Sequence, residues 1–204
     1  MSRAFIFDMD GALLRLDVDL EEVRLRLREL FAPYGVTQPF RPILRRIREA
    51  ARAAGDAELE RAGREILSTW EVRAAASARA REGAAAVLAA LDGRGDRLGL
   101  LTDAGRAAVP LALATTGLPP VFDAVVTRDD VAEPKPDAAG LRRAVELLGP
   151  GEVWYIVDHP REAETGRQAG VRVAALGGGL AADADLTRAG AERVLRSLDE
   201  VLAL

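Results

Sequence analysis

The sequence predicts an α/β protein: a parallel sheet with helices on both faces, interrupted after its first strand by an all-helical insertion. Three observations lead there. Short apolar runs recur without polar alternation, as strands covered on both faces require. Helical stretches separate the later runs, the rhythm of a parallel sheet with crossover helices. Between residues 15 and 82 strand signals vanish and only helical periodicity remains.

The first strand is read at Ala4-Phe5-Ile6-Phe7. Asp19 then stands as an N-cap with Glu22 placed for a capping box, and Leu20, Val23, Leu27 and Leu30 form an apolar stripe. Pro39 and Pro42 break that stripe, Pro42 suiting a first helical turn, and Ile43, Ile47 and Ala51 start another. A third helix is predicted from Asp56 through Leu59, Ile66 and Trp70 toward Ala80. Further strands are read at Leu98–Leu101, Val153–Val157 and Val171–Ala174, with a weaker one at Ala124–Thr127. Helices are expected over Arg106–Thr115, Ala138–Leu148 and Arg161–Ala169. Residues 1–14 and 83–204 therefore form the predicted core domain, and residues 15–82 a helical cap above the carboxyl ends of the strands.

Composition narrows the chemistry. Hydrophobic residues make up 49% of 204, aromatics only 4%, so the core is expected to be aliphatic. A net charge of −4 offers no basic excess for nucleic acid. The absence of cysteine removes disulfides, thiolate zinc sites and a cysteine nucleophile, and one histidine, His159, cannot build a histidine cage. The first apolar run is too short for a signal peptide and no run approaches a membrane span, so the expected compartment is the cytoplasm.

The strongest local signal is Asp8-Met9-Asp10-Gly11 at the end of the first strand. On an extended segment the two carboxylates project to one side, and glycine lets the chain turn. Such a pair is costly unless a cation or a shared proton relieves it, and hard oxygen ligands favour Mg²⁺. Thr102 follows the second core strand, where its hydroxyl could donate to a phosphoryl oxygen. Asp158 follows Val153–Val157, either as a helix N-cap or as a second metal carboxylate, with Glu162 one turn on. Of 28 basic residues only Lys135 is a lysine. Arginine is a wide planar fork, whereas lysine is a compact, mobile point charge that can reach a single phosphate oxygen.

Asp8-Met9-Asp10-Gly11, Thr102, Lys135 and Asp158, in that order, resemble the four motifs of the haloacid dehalogenase-like hydrolase superfamily, phosphatase type. The inserted helices are similar to that superfamily's cap of the first type. The resemblance implies a Rossmann-like core and a Mg²⁺-dependent phosphatase acting on a small phosphorylated metabolite. It implies Asp8 as nucleophile forming an aspartyl-phosphate and Asp10 as acid and base. Thr102 and Lys135 would bind the phosphoryl group. The metal would be held by Asp8, the Asp10 backbone carbonyl and Asp158, with Glu162 acting through water.

The lysine poses a register question. Aligning Pro134 and Pro136 with the family's Lys-Pro-x-Pro-Asp puts Glu133 in the lysine slot. Helix phase favours Lys135, since positions +6 and +9 are then Leu141 and Ala144 rather than Ala139 and Arg142. Lys135→Ala is then expected to cripple phosphoryl transfer and leave the fold intact. Other departures are Ala12, Asp103 (for a common Asn), Val157, and Glu162 for a second aspartate. His159 either orients its loop or touches substrate. Cap arginines Arg41, Arg45, Arg46, Arg48 and Arg52 are read as a solvated face, or as the source of one arginine gripping a second anionic group. Gly177-Gly178-Gly179 is read as a turn.

Rival chemistries are weighed on the same residues. Asp10 disfavours a haloacid dehalogenase, and a cap without lysine disfavours a Schiff-base phosphonate hydrolase. A sugar phosphomutase and a non-catalytic protein on this fold stay open.

Overall fold

β1 (Arg3–Asp8) sends alternate side chains into two aliphatic layers, and the molecule is arranged around it. Phe5 and Phe7 enter one apolar cluster, Ala4 and Ile6 the other, and all four are fully buried. That is the period-two consequence of an extended chain; each buried phenylalanine contributes about 1.5–3 kcal/mol. The computed structural model describes residues 3–179 and 181–204; Met1, Ser2 and Leu180, which the sequence assigns to the core, lie outside it.

After β1 come the two-residue strand β2 (Leu14–Arg15), cap helices α1 (Leu20–Phe31), α2 (Ile43–Ala54) and α3 (Ala57–Ala75), and a second short strand, β3 (Arg79–Ala80). The core resumes with α4 (Ala84–Gly93), β4 (Arg97–Leu101), α5 (Ala108–Thr116), β5 (Ala124–Val126), α6 (Ala139–Leu148) and β6 (Glu152–Val157). It ends with α7 (Pro160–Ala169), β7 (Arg172–Leu176), α8 (Asp183–Ala189), β8 (Arg193–Leu195) and a 3-10 turn. Six parallel strands run in the order β5-β4-β1-β6-β7-β8. Helices α4 and α5 pack on the Phe5 face, α6, α7 and α8 on the Ile6 face.

Strand order places the site. The chain leaves β1 for β4 on one side and later for β6 on the other, so β1 is central and a crevice opens at its carboxyl end. Asp8 is level with Leu101 of β4, and Phe7 with Ile156 of β6. Thr102 and Asp158, just beyond those neighbours, therefore emerge on either side of Asp8.

The cap has its own aliphatic centre, including Val23, Leu27, Phe31, Phe40 and Ile47. Asp19 caps α1 by accepting from the Glu22 N–H at 3.0 Å, whereas the Glu22 side chain turns to Arg26, so only half of the expected capping box forms. Asp56 caps α3 through the Glu58 N–H at 2.9 Å. The third cap helix stops at Ala75, short of the predicted Ala80. Arg79–Ala80 instead pairs antiparallel with Leu14–Arg15 where the chain enters and leaves the cap. This corrects the expectation of a strand-free insertion; a two-residue ladder is too short to show alternation.

Candidate active site

Asp8 ends β1 with 2% of its surface exposed. Beyond it the chain turns at Gly11, whose φ of +108° suits glycine and whose missing Cβ leaves room for the Asp158 carboxylate; a Cβ would sit 2.3 Å from both its oxygens. Arg81, leaving the cap, donates from Nε and Nη2 to the Gly11 carbonyl at 2.8 and 2.6 Å. Asp10 accepts the Leu16 N–H at 2.8 Å through Oδ1, which fixes its carboxylate at the cavity wall.

Lys135 is buried, and its ammonium donates to Asp8 Oδ1 and to Glu162 Oε1, the latter at 3.0 Å. Its backbone N–H donates to Asp103 Oδ1 at 3.1 Å, so Asp103 holds the lysine loop while its other oxygen accepts from Arg161 at 3.0 Å. Leu141 and Ala144 are buried in α6, and Ala139 and Arg142 are exposed. Glu133 lies at the cavity rim, paired with Arg48 of the cap. Thr102 is buried, and its Oγ1 accepts the Ala104 N–H at 3.0 Å, leaving the hydroxyl proton free to donate.

Asp158 does not cap α7. His159 does, with Nδ1 accepting the Arg161 N–H at 3.1 Å, the loop-orienting role considered for it. The Asp158 carboxylate is left to converge with Asp8 and Glu162, each offering an oxygen within 4.8 Å of the others. The donor set fits a hard divalent cation: three carboxylates crowd together, and Asp8 Oδ2 and Glu162 Oε2 are buried without a partner. The Asp10 carboxylate stands outside that cluster.

Crowding governs protonation. Burial pushes the Asp8 carboxyl well up, the Glu162 charge adds to this, and Lys135 pulls against it. Asp10 is raised to about 6, chiefly by desolvation and against the Leu16 hydrogen bond. Asp158 is raised by burial and by Glu162, with Arg81 opposing. Burial disfavours the Lys135 ammonium, but Asp8 and Glu162 outweigh it and shift Lys135 well up. The site is short of positive charge.

The cap closes over a cavity of about 820 Å³. Among the described residues, two ion pairs reach from the cap helices to core loops. Arg48 donates to Glu133 and to the Ala132 carbonyl. Deeper, Glu71 of α3 accepts Arg128 Nη1 at 2.5 Å on both oxygens and the Gly105 N–H at 3.0 Å. The same Nη1 reaches the Asp103 carbonyl at 3.1 Å, so the cap is tied directly to the loop after Thr102. No sequence signal marks this pair, because its members lie 57 residues apart in separate elements.

Comparison with known proteins agrees with the geometry. A family model described as haloacid dehalogenase-like hydrolase matches residues 5–176. A phosphoglycolate phosphatase from Cereibacter sphaeroides is 30% identical over 182 residues, 83% of this chain and 82% of that protein. The pyrophosphatase PpaX of Bacillus velezensis is 39% identical over 82 residues, 39% of this chain and only 38% of that protein's length. A hydrolase from Pseudomonas syringae shares the fold, with a TM-score of 0.73 at 24% identity over 99% of this chain and 97% of that one.

Proposed function

The chain belongs to the haloacid dehalogenase-like hydrolase family, and from that premise we propose that it is a Mg²⁺-dependent phosphatase of a small phosphomonoester, working through an aspartyl-phosphate on Asp8. One observation carries the reading: Asp8, Lys135, Asp158 and Glu162 meet at the floor of a capped cavity that Asp10 and Thr102 also line. The names of two relatives, a phosphoglycolate phosphatase and a pyrophosphatase, support a compact phosphorylated substrate.

An Asp8 oxygen attacks phosphorus, forming the carboxylate O–P bond as the bond to the leaving oxygen breaks. Asp10, with its carboxyl raised to about 6, is suited to give a proton to that oxygen near neutral pH. It then takes one from the water that attacks the aspartyl-phosphate, which releases phosphate and restores the Asp8 carboxylate. Lys135 pulls Asp8 toward its ionised form against its burial and neutralises phosphoryl charge, and the Thr102 hydroxyl donates to a phosphoryl oxygen. Asp8, Asp158 and Glu162 would hold Mg²⁺, which would supply the charge neutralisation that the three carboxylates lack. The cap excludes water from the cavity during transfer.

Hydrolysis of an aryl phosphate tests this. The purified protein should release phosphate with Mg²⁺, stop with EDTA, and lose at least about a thousandfold in rate on Asp8→Asn. Undiminished turnover in the Asp8→Asn protein refutes the mechanism. Isomerised sugar phosphate in place of inorganic phosphate would turn the reading to a mutase.

A further inference from the structure

The cap arginines divide by partner. Arg41 pairs with Glu21, Arg46 with Glu49, and Arg48 with Glu60 and Glu133. Arg45 reaches the cavity but is spent on Glu49, with 71% of its side chain exposed. The arginine held inside the cavity is a different one, Arg24 of α1, with a side chain only 12% exposed. Among the described residues its side chain makes one hydrogen bond, from Nη1 to Glu21 Oε1 at 2.6 Å, and its Nε is buried without a partner. That same Glu21 oxygen also accepts Arg41 at 2.5 Å. Two guanidinium groups thus share one carboxylate and retain a net positive charge.

We propose that Arg24 is the subsite for a second anionic group, a carboxylate or phosphate, on a substrate whose phosphoryl end lies at Asp8. The inference rests on the phosphatase reading and names its substrate class. Leu16, Val18, Leu20, Ile43 and Leu67 line the same cavity. A guanidinium beside apolar walls is poorly hydrated, which strengthens its attraction to an anion. Its planar fork matches carboxylate or phosphate with two parallel hydrogen bonds, where a neutral tail would leave its donors unused. Lys135 and Thr102 on the core wall and Arg24 on the cap wall select molecules carrying two anionic groups.

The test is binding to the Asp8→Asn protein, which keeps the ligand intact, with Mg²⁺ present. Calorimetry compares phosphoglycolate and pyrophosphate, whose second groups are a carboxylate and a phosphate, with ethyl phosphate, whose tail is neutral. At least one charged-tail probe should bind about tenfold or more tightly than ethyl phosphate, and the stronger of the two identifies the second group. Adding Arg24→Leu should erase that preference, and Arg24→Lys, which keeps the charge without the fork, should restore part of it. Thermal unfolding of each variant checks that the cap stays folded. No preference in the Asp8→Asn protein, no binding of either charged-tail probe, or a preference that survives Arg24→Leu overturns the assignment. Wild-type aryl phosphate turnover judges the phosphatase reading separately.

Discussion

Among the described residues two cationic side chains are buried, Lys135 and Arg128, and their surroundings differ in kind. Arg128 is bound by one buried carboxylate, Glu71, whose two oxygens are both occupied, one of them also by the Gly105 N–H, while the half-exposed Asp129 lies 3.7 Å from its Nε. The one carboxylate buried with Arg128 matches its charge, and Nη1, shared between both Glu71 oxygens, ties two elements together, although Nε is buried without a hydrogen-bond partner. Lys135 faces Asp8 and Glu162 together, with Asp158 close by and two carboxylate oxygens left without partners. One ammonium against three carboxylates is a deficit, and a deficit is what a site needs if a metal ion is to complete it. A buried cation balanced by one buried carboxylate points to architecture; one outnumbered by carboxylates points to chemistry.

The largest effect should come from breaking the side where carboxylates outnumber the cation. Lys135→Ala should lower turnover by at least about a hundredfold, since a donor aimed at the phosphoryl oxygens is lost. The sequence alone suggested an intact fold, and the burial of Lys135 amends that. Removing one partner of a buried pair costs about 3–5 kcal/mol, and Asp8 and Glu162 lose their counter-charge. Chemical denaturation should show the loss, and Mg²⁺ should recover part of it by binding the folded state. A variant equally stable with and without Mg²⁺ would contradict the charge deficit.

The balanced pair should respond differently. Glu71→Gln leaves Arg128 buried with a neutral partner and should destabilise the protein by up to about 3–5 kcal/mol, read by denaturation. Replacing both partners, Glu71→Met with Arg128→Met, should cost much less, because well-packed apolar residues often substitute for a buried pair. Phosphate release by the double variant should fall less than in Lys135→Ala. If it falls as far, the pair positions the Thr102–Gly105 loop as strictly as any site residue, and the contrast between the two cations collapses.

Legibility in the sequence follows the same division. The strand before Asp8 was readable because sheet burial leaves a continuous apolar run, and Gly11 because a sharp turn needs it. Lys135 was singled out by being the lone lysine, and its place by the phase of α6, where Leu141 and Ala144 face inward. These signals are local. Glu71–Arg128 and the seating of Arg24 were not readable, since they depend on how the cap helices lie over the core. The cap arginines considered from sequence were those clustered around α2. The one enclosed by the cavity sits on α1, where it looks like any charge on an amphipathic helix.

The smallest effect is expected at Glu133, and it bears on the register. Its side chain is 55% exposed and paired with Arg48 at the cavity rim. Exposed pairs contribute about 0–1 kcal/mol, so Glu133→Ala should change stability by no more than that. Arg48 keeps Glu60 and the Ala132 carbonyl as partners, so the cap should stay seated. Turnover of an aryl phosphate should change by no more than a few-fold, since the Lys135 ammonium beside Asp8 is untouched. A collapse of activity in Glu133→Ala with Lys135→Ala remaining active would reverse the assignment. The ammonium would then be an architectural charge like Arg128, and the functional residue would be at the rim.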